Sequence, residues 1–297
     1  QQFTYLCTDQ YKNPDGCRAV MEWYDRQVER CAADPESRWV DTSAGPTHLL
    51  VAGPADAPPL VVLHGMNLNA AAMTAALERL SEVRRVYAID VIGMPGKSAG
   101  TRPSRSGPGY PQWVGEVLSA LEISTAEFVG QSFGGWILLK LAARRPKCIR
   151  SLVLLDSGGL VPFTWGGQMK AGLAAVLHMA WPNERTLEWA SRPFCGPDTS
   201  PDPDLKQLLG LSYRHVQLDI DPKGLPPPED SALSALDAPV FVSYGAHDIF
   251  FPAEQAVRRA KELWGNQVTT EIVASEGHLF SAEGEEALYD RVAAFLG

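Results

Sequence analysis

At 297 residues, with 45% hydrophobic and 21% charged side chains, the chain is long enough for one large domain with an insertion or for two small domains, and its composition argues against disordered and fibrous classes. A formal charge of −9, with the basic residues scattered, argues against nucleic acid or another polyanion as a partner. No apolar run approaches the ~18 residues of a membrane span and no charged-then-apolar leader opens the chain, so a soluble protein with a small-molecule substrate is expected.

In chain order, the first expected element is a helix over 17–31. Two short β-like pieces follow, SRWVDTS (37–43) and THLLVAG (47–53), joined through Gly45-Pro46 as a hairpin. Then come LVVLHG (60–65), RRVYAID (84–90), AEFVGQS (126–132), SLVLLDS (151–157), PVFVSYG (239–245) and TTEIVAS (269–275), short and rich in Val, Ile and Leu as strands buried on both faces are. Helical patterns over 70–81, 111–122, 135–145, 253–264 and 283–296 separate most of them. This alternation implies an α/β fold with a mostly parallel sheet flanked by helices.

The alternation breaks between Ser157 and Pro239, where MKAGLAAVLHMAW (169–181) and ERTLEWAS (184–191) read as helices and the Pro-rich DPKGLPPPED (221–230) closes the interval. The expected organisation is an N-terminal helical extension over 1–36, a core over 37–157 and 239–297, and a helical cap inserted over 158–238. Five cysteines fit neither a disulfide framework nor a zinc pattern. Reduced thiols in a cytoplasmic protein are the preferred reading. A Cys7–Cys17 bridge is conceivable in an oxidising compartment. The chain starts at Gln1 rather than Met, so processing is expected and a secreted form stays open.

Two serines match G-x-S-x-G: Ser98 in GKSAG and Ser132 in GQSFG. A nucleophile elbow needs a strand running into the serine and a helix leaving it, with glycine on either side of a sharp turn. Ser132 has EFVG before it and GGWILLKLAARR after it; Ser98 has Pro95 before it and TRPSRSGPGYP after it, which cannot open a helix. A phosphate-binding reading of Gly96-Lys97-Ser98 fails because Val91 stands where a glycine is required.

With His64-Gly65 after one strand, Asp90, Gly93 and Ser98 after the next, GQSFGG at the elbow, His247-Asp248 after a later strand and Gly277-His278 near the end, the chain resembles the α/β-hydrolase family from about residue 37 onward. Members commonly show D-x-x-G-x-G-x-S; here DVIGMPGKS is one residue longer. The resemblance implies a triad of Ser132, Asp248 and His278, in the chain order serine, acid, histidine. It implies an oxyanion hole from the backbone N–H groups of Met66 and Phe133, with His64 in the turn that supplies it. His48, His178, His215 and His247 read as surface or cap residues. Asp156, at the end of SLVLLD, is the rival acid.

The insertion carries Phe163, Trp165, Met169, Met179, Trp181, Trp189 and Phe194. An aromatic and Met stripe is more often core, yet a cap must present apolar surface inward, and Trp165 and Trp181 are the candidate substrate-binding residues. No metal cluster or dinucleotide fingerprint is present, so neither metal nor cofactor is implied. The resulting expectation is a serine hydrolase that cleaves a carboxylic ester or related acyl bond of a small, largely apolar substrate through an acyl-enzyme. The same machinery serves lactone, amide, thioester and C–C bond hydrolysis and acyl transfer, and receptor-like relatives bind without turnover; the sequence leaves these alternatives and the oligomeric state open.

Overall fold

A computed structural model of the chain describes residues 7, 9–219 and 224–297. Residues 1–6 and 8 of the N-terminal extension, and 220–223 at the head of the Pro-rich stretch, lie outside the described residues.

Eight strands form one sheet in the order β1-β2-β4-β3-β5-β6-β7-β8. They are β1 (Glu36–Thr42), β2 (Gly45–Ala52), β3 (Pro59–Leu63), β4 (Arg85–Ile89), β5 (Ala126–Gln131), β6 (Ile149–Leu155), β7 (Val240–Gly245) and β8 (Val268–Val273). Pairing is parallel from β4 across to β8, and β2 runs antiparallel to both β1 and β4. Alternate residues of the central strands feed two separate cores, because successive side chains of a strand point to opposite faces. Val61, Leu63, Phe128, Leu152 and Leu154 pack on one side. Leu60, Val62, Val129, Val153 and Leu155 pack on the other. Burial on both faces, expected for all the later strands, does not hold for β8: it is an edge strand, and each of its positions is half-buried or exposed.

The helices in chain order are α1 (Pro14–Arg30), α2 (Thr74–Leu80), α3 (Gly109–Ala120), α4 (Phe133–Ala142), α5 (Trp165–Ala180), α6 (Glu184–Ser191), α7 (Pro203–His215), the single turn α8 (Asp230–Leu233), α9 (Ala253–Trp264) and α10 (Ala282–Leu296). Residues of α3, α4 and α9 join the first core and those of α1, α2 and α10 the second, so the sheet is covered on both sides. Every residue of α4 is buried, which fixes the helix that leaves Ser132 firmly in the core. Helix α7 carries an Asp202 cap on the N–H groups of Asp204 and Leu205 and Pro203 at its first position, a start signal that sequence reading passed over.

The N-terminal segment is clasped to the insertion: the Trp23 indole donates to the Asp204 carbonyl at 3.1 Å, and the Lys12 ammonium to that of Tyr213 at 2.9 Å. Cys7 and Cys17 form a disulfide with Cα atoms 5.7 Å apart, which overturns the reading of these two as reduced thiols; Cys31, Cys148 and Cys195 are free. A pairing only 10 residues apart within a loop-to-helix entry leaves no periodic signature that distinguishes it from two unlinked thiols. Among the described residues, no helix is long and apolar enough to cross a membrane.

The loop after β4 is a buried polar knot. Asp90 accepts from the Tyr24 hydroxyl at 3.0 Å and from the Ala70 and Lys97 N–H groups at 2.7 and 3.0 Å, and its carboxylate lies 2.8 Å from His48 Nδ1. Burial opposes ionisation of Asp90, but the hydrogen bond and charge of His48 and the Ala70 N–H hold it below the ordinary carboxylate range. His48 is therefore a core residue and not a surface one, and His178, bonded to Thr186 at 3.0 Å, is also buried. Ser98 is fully buried: its hydroxyl donates to the Asp90 carbonyl at 2.6 Å and accepts from the His48 N–H at 2.9 Å. Ser98→Ala leaves both backbone groups unpaired, so thermal denaturation should show a loss of about 1–3 kcal/mol while turnover per folded molecule is retained.

Candidate active site

Ser132 sits between β5 and α4 with φ 50° and ψ −107°, a strained conformation that turns the chain sharply from strand to helix. The flanking glycines are sterically required. A Cβ on Gly130 would lie 2.6 Å from the Gly135 nitrogen, and one on Gly134 would lie 2.3 Å from the Leu63 carbonyl oxygen. The pattern that singles out Ser132 in the sequence is thus the space left by β3 and by the first turn of α4.

Two loops at the same end of the sheet converge on this serine. After β8, the chain delivers His278, whose Nε2 lies 3.0 Å from Ser132 Oγ. After β7, it delivers Asp248, whose Oδ2 lies 2.8 Å from His278 Nδ1. A carboxylate only accepts, so Nδ1 carries the proton and Nε2 is free to accept from the serine hydroxyl. Asp248 is itself held: Oδ1 accepts from the N–H groups of Phe250 at 2.7 Å and Phe251 at 3.1 Å. The Phe250 ring stands edge-on to His278 with centroids 4.9 Å apart. The rival Asp156 accepts from the Gly245 N–H at 2.9 Å.

The N–H groups of Met66 and Phe133 make no hydrogen bond to another described residue, and Met66 and Ser132 border the same cavity. His64 is buried one turn away, its Nδ1 donating to the Gly65 carbonyl at 2.8 Å and its Nε2 accepting from the Val91 N–H at 2.9 Å. Burial lowers its pKa below that of a free imidazole, consistent with a neutral ring that shapes the turn. The cavity over Ser132 is about 290 Å³ and mainly apolar, with Leu68, Phe163, Phe194, Leu209 and Phe250 among its walls. Its polar wall includes the Arg105–Asp219 ion pair, 2.6 Å between nearest atoms.

Residues 58–180 match the model of a family described as having the alpha/beta hydrolase fold. The chain is 28% identical to "Carboxylesterase YbfK" of Bacillus subtilis (strain 168) over 283 residues, covering 92% of each chain. The crystal structure of that Bacillus subtilis enzyme superposes with a TM-score of 0.82 and 25% identity over 95% of this chain and 98% of its own. The chain has the α/β-hydrolase fold. A second relative from the same strain, "Uncharacterized carboxylesterase nap", is 26% identical over 88% of this chain and 86% of its own.

On this α/β-hydrolase fold the two tryptophans expected to bind substrate are not at the site. Trp165 is 80% exposed and Trp181 66% exposed, and neither borders the cavity. The reason lies in α5: its large residues Trp165, Met169, Leu173 and Val176 share an outward face, while the neighbouring face, with Gln168, Ala171 and Ala175, borders the cavity. Small side chains leave room for a ligand where large ones would fill it. The aromatic walls come instead from Phe163, Phe194 and Tyr213 of the insertion and from Phe250 beside Asp248.

Sequence reasoning offers Asp156 either as a rival acid or as a carboxylate that bonds the turn N–H groups beside Ser157-Gly158-Gly159. Asp156, Asp248 and His278 place one ligating atom each within 4.8 Å of one another, a constellation that resembles a metal site in residue type. The His278 nitrogens are already engaged by Asp248 and Ser132, so the cluster is accounted for by shared protons.

Proposed function

We propose that this hydrolase is a serine carboxylic-ester hydrolase that acts on small, largely apolar esters through an acyl-enzyme. One observation carries the reading: a continuous hydrogen-bonded chain Ser132–His278–Asp248 on the floor of an apolar cavity. Two carboxylesterases that align over most of the chain support an ester as the bond cleaved.

In this mechanism His278 Nε2 takes the proton of Ser132 as Oγ attacks the ester carbonyl, and the imidazolium is held by Asp248. The N–H groups of Met66 and Phe133 receive the oxyanion, each worth about 3 kcal/mol of transition-state stabilisation. His278 then returns the proton to the departing alkoxide, leaving Ser132 acylated. Water enters and attacks the acyl carbonyl as it gives a proton to His278, which returns that proton to Ser132 Oγ as the acid leaves and the free serine is restored. Residues 158–238 act as a cap whose inner face shapes the acyl or alcohol pocket.

A turnover screen over short acyl esters, thioesters, lactones and amides tests this reading. Esters should turn over many times per enzyme and fastest of the set. Binding without repeated product release would assign the scaffold to ligand reception, and a faster amide or lactone would move the substrate class. Within the ester series, Phe163→Ala should change the ratio of kcat/KM between short and long acyl chains by about tenfold or more, the scale of one or two methylene contacts. Trp165→Ala should leave that ratio unchanged; a chain-length profile that responds to Trp165 and not to Phe163 contradicts the placement of the pocket.

A further inference from the structure

Asp156 directly follows β6 with φ 44°, a left-handed conformation uncommon for a residue with a side chain, and is 1% exposed. One of its oxygens accepts from the Gly245 N–H. Its carboxyl lies in the same tight cluster as Asp248 and His278. Among the described residues, neither carboxyl has a lysine or arginine partner. The charged or titratable groups that face the cluster are acidic or neutral apart from the triad histidine: Glu276, committed to the Ser281 N–H and hydroxyl, Tyr244, which donates to the Ser157 carbonyl, and Glu285 and Tyr289 across a small gap from α10. Two like charges this close in a dry site strongly disfavour each other.

We propose that Asp156 is a positioning residue whose carboxyl is protonated in the working enzyme and donates a hydrogen bond to the Asp248 carboxylate, holding that carboxylate against His278. Burial raises the Asp156 carboxyl well above the ordinary carboxylate range, and the charge of Asp248 pushes it the same way, with only the Gly245 N–H opposing strongly. Asp248 then receives four donors: Phe250 and Phe251 on Oδ1, and His278 and Asp156 on its remaining lone pairs. The pair carries one negative charge rather than two. This inference rests on the triad assignment of Asp248, and its test includes a readout independent of turnover.

Asp156→Asn keeps a neutral donor of the same shape; Asp156→Leu removes it. The Asn variant should hold kcat within about threefold, with the acid limb of the kcat/KM profile in place. The Leu variant should lose about tenfold or more in kcat. Its acid limb should move up by about half a pH unit, because an Asp248 carboxylate with one donor fewer holds the imidazolium proton more tightly. An Asn variant whose limb falls by about one pH unit would mean that a negative charge had been removed, and a folded Leu variant with wild-type kcat and limb would mean that the donor is idle; either overturns the proposal.

The independent readout is thermal stability of the wild type against Asp156→Asn. A carboxyl with a raised native pKa stabilises the fold fully below the unfolded value of about 3.9 and loses that contribution as pH rises through the native value. The stability difference should therefore move in favour of the Asn variant between about pH 4 and pH 8. A flat difference, or one that moves in favour of the wild type, contradicts a protonated Asp156 whatever the activity assays give.

Discussion

Ser132→Ala should lower ester turnover about a millionfold in kcat, the loss that accompanies removal of a triad nucleophile. The variant removes only the attacking oxygen. Alanine accepts the φ of 50° no worse than serine, because the strain is borne by the turn between β5 and α4 and by the glycines on either side. Circular dichroism and the melting temperature should match the wild type. Esters should still bind in the cavity, and the Met66 and Phe133 N–H groups should sustain a small residual rate over water. A loss of only tenfold in a folded variant would mean that another group attacks the carbonyl.

Asp248→Asn should cost about 10⁴ in kcat with little loss of folding. The amide oxygen can still accept from Phe250 and Phe251, so the loop after β7 keeps its turn. The amide nitrogen, however, faces His278 Nδ1 as a donor. The ring must then carry its proton on Nε2, toward Ser132, where it cannot take the serine proton. The measurement is kcat over pH on protein shown folded by circular dichroism. If Asp156→Asn gives the 10⁴ loss and Asp248→Asn does not, the acid is Asp156 and the 2.8 Å contact to His278 is not the working one.

The sheet and its helices were legible because strand-length apolar runs and helical patterns alternate along the chain, and because a residue buried on either face of the central strands must be apolar. Ser132 was legible for a steric reason: the turn tolerates no Cβ at Gly130 or Gly134. His278 and Asp248 could be proposed from chain order, because each follows a strand that runs parallel to the one before the elbow and so ends at the same edge of the sheet.

What sequence did not convey is which face of an element turns inward. In α5 the aromatic and Met residues point out and the small ones border the cavity, and the same spacing in a one-dimensional pattern serves either orientation. His48 reads as a surface or cap residue because nothing near it in sequence supplies a buried partner. Its burial depends on Asp90 and Tyr24 meeting it from two other segments. Asp156 likewise gains its character only when β7 brings Asp248 beside it.

The most direct test of the account is covalent labelling of the active enzyme with a serine-directed phosphonate, followed by peptide mapping and measurement of remaining esterase activity. Labelling should fall on Ser132, in step with loss of activity, and should vanish in Ser132→Ala while persisting in Ser98→Ala. A label on Ser98, or full inactivation with Ser132 unmodified, would contradict the assignment of Ser132 as the nucleophile and with it the proposed mechanism.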